Sequence, residues 1–186
     1  MSSRMIVICA PSGAGKSTLL TKLKKDHPEL VWSVSCTTRP MRTGEAHGKD
    51  YFFIKTDSFE KQIADGEFIE WAKVHSNYYG TSKRFVEEGQ ANNLKMLFDL
   101  DVQGVDAMKK IYGDEAQVIF IEPPSIEELE KRLRSRGTDK EEVIIERIKN
   151  ARRELLRKND FDHIILNDDV ERAYKDLKAL VERILK

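Results

Sequence analysis

Along the chain, short apolar runs alternate with segments whose apolar residues recur at helical spacing. "MIVICA" is followed by 17–25, "KMLFDL" by 103–112, "AQVIFI" by 125–136 and "HIILN" by 169–185. This strand–helix rhythm predicts an α/β fold, a parallel sheet covered by helices. The last helix carries the clearest stripe, Val170, Ala173, Tyr174, Leu177, Leu180, Val181 and Ile184, and that stripe is expected to face the core. An earlier helix repeats the pattern with Ile144, Ile148, Ala151 and Leu155, with Arg147 at the stripe's edge. Between the first helix and "KMLFDL" the period changes. Residues 33–90 hold short alternating stretches, "SVSCTTR", "DYFFI" and "EFIEWAKVHSNYYGT", which predict a small strand-rich insert. "RSRGTDKEEV", charged and glycine-bearing between two helical patterns, reads as a solvated turn or a lid. No repeat, low-complexity tract or Pro/Gly/Ser-rich linker divides the chain. The expectation is therefore one domain over 1–186, with its core at 1–32 and 91–186, the insert at about 33–90 and the lid at about 125–150.

Composition adds bounds. At 186 residues and 40% hydrophobic, the chain can bury a full core and matches the usual size of one domain. Lys and Arg together number 32, as do Asp and Glu, so the net charge is zero. No global field draws such a chain to nucleic acid or to a membrane, and an anion site must be built locally. The apolar run before Pro11 spans six residues, too short for a signal peptide's apolar region or a bilayer span, which gives a cytoplasmic expectation. Cys9 and Cys36 cannot form a disulfide scaffold and lack metal-ligand spacing; they are expected as reduced thiols in small packing sites.

The chemistry begins at "ICAPSGAGKSTLL". A strand, a glycine-bearing turn and a helix opening at Lys16 are what a phosphate-cradling loop requires. The pattern G-x-x-x-x-G-K-[ST] is met except at its first glycine, where Ala10 stands. Pro11 biases Ala10 toward extended φ/ψ, so a methyl group is expected to fit there. Residues Ala10, Pro11, Ser12, Gly13, Ala14, Gly15, Lys16, Ser17 and Thr18 would hold the donor phosphates of ATP, Lys16 reaching the β- and γ-phosphates and Ser17 ligating Mg²⁺. "MLFDLDVQG" supplies Asp99 and Asp101, which at a spacing of two would project to one face of a strand, with one of them serving the metal's water shell. Arginines are the third element: Arg39 and Arg42 follow "SCTT", Arg132 and Arg136 are one helical turn apart, and Arg147 sits on the next helix. Several guanidinium groups aimed at one point suit phosphoryl transfer between two anions. A guanine-reading Asn-Lys-x-Asp is missing, which argues against a GTP-hydrolysing switch.

These blocks together resemble the guanylate kinase family. "APSGAGKSTL", "SVSCTTRPMRTGEAHGKDYFF", "EFIEWAKVHSNYYGTS", "LDLDVQGV" and "RLRSRGT" stand in that family's order and spacing. The resemblance implies transfer of a phosphoryl group from ATP to GMP, and more slowly to dGMP, with Mg²⁺. It implies GMP contacts at Ser35, Arg39, Arg42, Tyr51, Glu70, Tyr79, Thr81 and Asp101, closure of Arg132, Arg136 and Arg147 on ATP's phosphates, and Asn167 near the adenine. Catalytic roles are thereby expected for Lys16, Arg39, Arg132, Arg136 and Arg147, and metal binding for Ser17 and, through water, Asp99. Physical chemistry agrees with the base assignment. Guanine presents N1–H and an amine as donors, and Glu70, Ser35 and Asp101 can accept them; adenine's N1 would face a carboxylate. Such a site can discriminate by roughly 10⁴-fold. No general base is needed, because a phosphate monoester with its second pKa near ~6 is already mostly dianionic.

Departures from the family pattern are few: Ala10 for glycine, Cys36 where serine is frequent, and Asp99 one methylene shorter than glutamate. Cys36, in a hinge-like stretch before Arg39, is not a stiffening proline, so closure is not expected to be blocked there. His47 and His75 read as turn and surface residues of the insert. Two alternatives stay open: a non-catalytic peptide-binding module of guanylate-kinase-like type, and a kinase of another small phosphorylated acceptor. The expected partners are thus GMP and ATP, without nucleic acid or membrane, in a monomer or small homo-oligomer.

Overall fold

The computed structural model describes residues 5–74, 76–135, 137 and 140–186. Its main sheet contains five parallel strands. They are β1 (Met5–Cys9), β2 (Val31–Trp32), β7 (Met96–Asp99), β8 (Ala116–Glu122) and β9 (His163–Leu166), ordered β2-β7-β1-β8-β9. Every residue of β1 is buried because the strand lies at the sheet's centre with helices on both faces. The strand's alternation splits its side chains between two cores. Met5, Val7 and Cys9 join the cluster formed with α4 (Val102–Tyr112) and α3 (Lys83–Ala91), whereas Ile6 and Ile8 join that of α1 (Lys16–Asp26) and α7 (Val170–Ile184). On α7, the sequence stripe faces inward at Ala173, Leu177, Leu180 and Val181, while Val170 at its start stays exposed.

A second, four-stranded sheet lies within 33–90, ordered β4-β3-β6-β5. Its strands are β3 (Cys36–Thr37), β4 (Phe52–Phe53), β5 (Phe68–Val74) and β6 (Asn77–Ser82). The strand reading of this segment omits two helices, α2 (Thr56–Ala64) and α3. Each has nine residues and buries few side chains, Phe59 on one and Val86 with Gly89 on the other, too little for a visible helical stripe. Cys36 is a strand residue buried with Phe59 and Phe68 in the insert's own core. Both thiols are free and buried, and burial pushes Cys9 up to about 12 and Cys36 to about 11, as inert packing groups require. Over the loop side lie α5 (Ile126–Ser135) and α6 (Glu141–Leu156), joined through Leu129, Leu133, Ile144 and Ala151. Among the described residues no helix is long and apolar enough to cross a membrane.

Candidate active site

The loop between β1 and α1 is shaped by two glycines. Gly13 and Gly15 have φ of +95° and +89°, which L side chains rarely adopt. A Cβ at Gly15 would lie 2.3 Å from Asn167 Nδ2, so space as well as conformation excludes a side chain. Ala10 needs neither privilege. The only non-glycine residue with positive φ among the described residues is Asn93, and Ala10 leaves the strand in an ordinary conformation, as Pro11 implies. Gly15 is the N-cap of α1 and brings no side chain to it. The helix's first N–H groups thus have no side-chain acceptor, which suits an anion.

Lys16 opens α1 and crosses to the neighbouring strand. Its Nζ forms an ion pair with Asp99 and donates to the Leu100 carbonyl at 3.1 Å. The two carboxylates of "DLD" do not share a strand face. β7 ends at Asp99, and Asp101 is already the N-cap of α4, accepting the Gly104 N–H at 2.8 Å. Strand geometry fails here because helix capping takes over two residues earlier than the alternation assumed. Asp99 consequently faces the loop lysine, while Asp101 lines a cleft of about 430 Å³ with Glu70, Gln103 and Ala107.

On the loop's other flank, α5 and α6 bring two of the expected arginines. Arg132 donates through both Nη atoms to the Asn167 carbonyl at 3.3 Å, and Arg147 Nη1 donates to Ser12 Oγ at 3.3 Å. Asn167 is buried, and its Nδ2 donates to the Ala14 carbonyl at 2.6 Å. It therefore braces the loop from the end of β9 rather than presenting an open amide. Arg136, with the lid residues Thr138 and Asp139, lies outside the described residues, as does His75.

The insert brings the remaining candidates onto adjoining strands. Tyr79 and Thr81, two apart on β6, share a face. Glu70 pairs across from Thr81, just after a register shift in β5, and Thr81 Oγ donates to its carboxylate at 2.6 Å. Burial raises the Glu70 pKa and the nearby Asp101 carboxylate adds to it, while the Thr81 hydrogen bond pulls the other way. At the other end, the Arg39 guanidinium lies 5.5 Å from the Tyr51 ring centre, and Tyr51 is 6.0 Å edge-on from Tyr79. Ser35 precedes β3 with its carbonyl accepting from Phe52 N at 2.9 Å, and Arg42 is exposed on the following turn. His47, expected in a turn, instead forms an isolated β-bridge with Tyr51, and its Nδ1 accepts the Phe53 N–H at 3.2 Å. The arrangement has two ends: carboxylates where a base with N–H donors can sit, and guanidinium and phenol groups where an anion can sit.

Two acidic residues escaped the sequence reading. Glu45 forks Arg39. Glu154, on α6, lines a second cleft of about 370 Å³ with Asp101 and Arg153; burial, then Asp101, raise its pKa to about 7, against a lowering by Lys16. Neither signals itself in sequence, since acids in a turn and on a helix are ordinarily solvated. The Glu154 shift has a definite sign. Below about pH 4.5, the ordinary value, the group is protonated in folded and unfolded chains alike and costs nothing. As pH rises through about 7, the unfolded chain gains from ionisation that the folded chain resists, so stability is lost. Glu154→Gln is therefore expected to raise Tm at pH 8 and leave it unchanged at pH 4; thermal melts at both pH values check this, and an equal effect at both would contradict it.

The guanylate kinase family model matches residues 2–184. The guanylate kinase of Carboxydothermus hydrogenoformans is 46% identical over 177 residues, covering 95% of this chain and 86% of its own. That of Schizosaccharomyces pombe is 48% identical over 179 residues, covering 94% and 88%. The crystal structure of guanylate kinase from Anaplasma phagocytophilum superposes with a TM-score of 0.74 at 30% identity, covering 99% of this chain and 87% of that one. With the model spanning nearly its whole length, the chain belongs to the guanylate kinase family.

Proposed function

We propose that this chain is a guanylate kinase that moves the γ-phosphoryl group of ATP onto GMP, giving ADP and GDP, by positioning and charge stabilisation without a general base. The observation that carries the reading is the junction at residues 99–101. Lys16 of the loop holds Asp99 and the Leu100 carbonyl, and the next residue, Asp101, shares a cleft with Glu70. Donor loop and acceptor pocket thus meet across three residues.

In this reading, Gly13 to Thr18 wrap the donor phosphates and Lys16 exchanges Asp99 for the β- and γ-oxygens. Arg132 and Arg147, already beside the loop, neutralise charge that spreads over the transferred group, with Arg136 of the 125–150 lid as a third cation. Asn167 acts through the loop backbone. On the acceptor side, Arg39, Arg42, Tyr51 and Tyr79 hold the GMP phosphate, and Glu70, Thr81, Ser35 and Asp101 read guanine. A divalent ion fits this donor set: the exposed Ser17 hydroxyl and the Asp99 carboxylate flank Lys16, and among the described residues no three His, Cys, Asp or Glu side chains form a closed metal cage. Mg²⁺ keeps several waters and binds by few protein groups plus substrate phosphates, so Ser17 and Asp99 would suffice to hold it. When bound it would neutralise phosphate charge. Exclusion of water during transfer falls to closure of the insert and lid.

A coupled assay with ATP, Mg²⁺ and each of GMP, dGMP, AMP, CMP and UMP tests the reading. GMP is expected to turn over fastest, dGMP more slowly and the other three near background. Equal rates for GMP and AMP would defeat the guanine assignment; no turnover with any nucleotide, alongside binding of a phosphopeptide, would make the chain a peptide-binding module.

A further inference from the structure

Arg39 carries five N–H donors, and the fold commits most of them before any substrate is considered. Nη1 and Nη2 donate to the two carboxylate oxygens of Glu45 at 3.0 and 2.7 Å, a fork on a fork. Nη1 also donates to the Pro40 carbonyl at 2.8 Å. What remains is the side edge, Nε–H with the second Nη2–H. The guanidinium also lies 5.5 and 5.6 Å from the Tyr51 and Phe53 ring centres, which restrict its plane. Glu45 does a second thing: the oxygen bonded to Nη1 accepts the Arg42 N–H at 2.8 Å, while Glu45 N donates to the Arg42 carbonyl at 3.1 Å. One carboxylate therefore fixes the head group of Arg39 and the backbone from which Arg42 projects. The pair is sheltered, with side-chain exposures of 12% for Arg39 and 21% for Glu45, and the contact holds the Glu45 carboxyl below its ordinary range.

We propose that Glu45 is the positioning residue of the GMP-phosphate clamp, holding Arg39 edge-on and the turn that carries Arg42 in register. It touches no substrate. Its role follows from donor geometry: an arginine pinned at its end face by a carboxylate still offers two parallel N–H groups from its side edge, and a dianionic phosphate matches them. Without Glu45, Arg39 keeps its charge but regains rotamer freedom that GMP binding must then remove.

This role presupposes that Arg39 is a phosphate ligand, and the experiment separates the two claims. KM for GMP and ATP and the inhibition constant of guanosine, which lacks the phosphate, are measured for wild type, Glu45→Gln, Glu45→Ala and Arg39→Ala. Glu45→Ala is expected to raise the GMP KM about tenfold or more while guanosine inhibition and the ATP KM stay within about twofold. Glu45→Gln, which keeps the shape and one acceptor, should fall between. A GMP KM that is unchanged or lowered overturns the proposal, the second result meaning that Glu45 competes with the phosphate. A matching loss of guanosine affinity also overturns it, since the whole insert has then been disturbed. If Arg39→Ala leaves the ratio of GMP to guanosine affinity untouched, the phosphate reading itself fails; if Arg39→Ala shifts that ratio and Glu45→Ala does not, only the role of Glu45 falls.

Discussion

Lys16→Ala is expected to lower kcat by about 10³-fold or more while leaving the fold in place. The size follows from what the ammonium does in the transition state. Preorganised cations on a transferring phosphoryl group are each worth roughly 10²-fold to 10⁵-fold, because they act where water is excluded and need no reorganisation. Among the described residues the neighbouring cations are engaged elsewhere: Arg132 is held by the Asn167 carbonyl and Arg147 reaches Ser12, on the other flank of the loop. Stability is a different matter. Lys16 is partly exposed, its partner Asp99 more so, and exposed ion pairs contribute about 0–1 kcal/mol. For a chain of this length that is a Tm change of no more than about 4 °C. Steady-state kinetics with a thermal melt on the same sample check both halves. Normal turnover in Lys16→Ala would remove the loop from the mechanism, and unfolding would show that the lysine is structural.

Much of this was legible in sequence because the relevant signals are local. Buried central strands read as unbroken apolar runs, and β1, β7 and β8 begin and end within about a residue of those runs. The loop was legible for the same reason, down to the ordinary conformation of Ala10, since Pro11 acts on its immediate neighbour. What stayed hidden depends on contacts between distant residues or on competition between two local rules. Asp101 obeys both a strand alternation and a capping preference; the cap prevails because α4 begins at Val102 and its free N–H groups need an acceptor. Helices α2 and α3 each show one or two buried positions, so burial, of α2 in the insert's own core and of α3 against the main core, forms them rather than periodicity. Glu154 is a surface acid by composition and is half-buried where α6 lines the cleft it shares with Asp101. The fork of Glu45 on Arg39 is six residues apart in sequence, yet nothing in a charged turn distinguishes it from a solvated pair until Tyr51 and Phe53 close over it.

Glu70→Gln is expected to trade function for stability. The carboxylate is half-buried on β5, its pKa is raised chiefly by burial, and a single protein hydroxyl, Thr81 Oγ, is bonded to it. As a carboxylate it can accept from further donors. Guanine supplies two, N1–H and the exocyclic amine, and hydrogen bonds to a charged group are worth about 1.5–3 kcal/mol each. The substituted side chain would offer one oxygen and an amide nitrogen, so one of guanine's donors would meet another donor. The expected loss in kcat/KM for GMP is roughly 10²-fold, carried mostly by KM, and the preference over AMP should shrink by at least as much. Stability should move the other way. A carboxylate with a raised folded pKa costs nothing below about pH 4.5, and its cost develops as pH rises through the folded value. The amide removes that cost while keeping an acceptor for Thr81, so Tm at pH 7.5 should rise, and at pH 4 it should not. GMP titrations and melts at the two pH values test the pair of effects together. A lower Tm with unchanged GMP affinity would make Glu70 a structural partner of Thr81 and leave guanine to be read elsewhere.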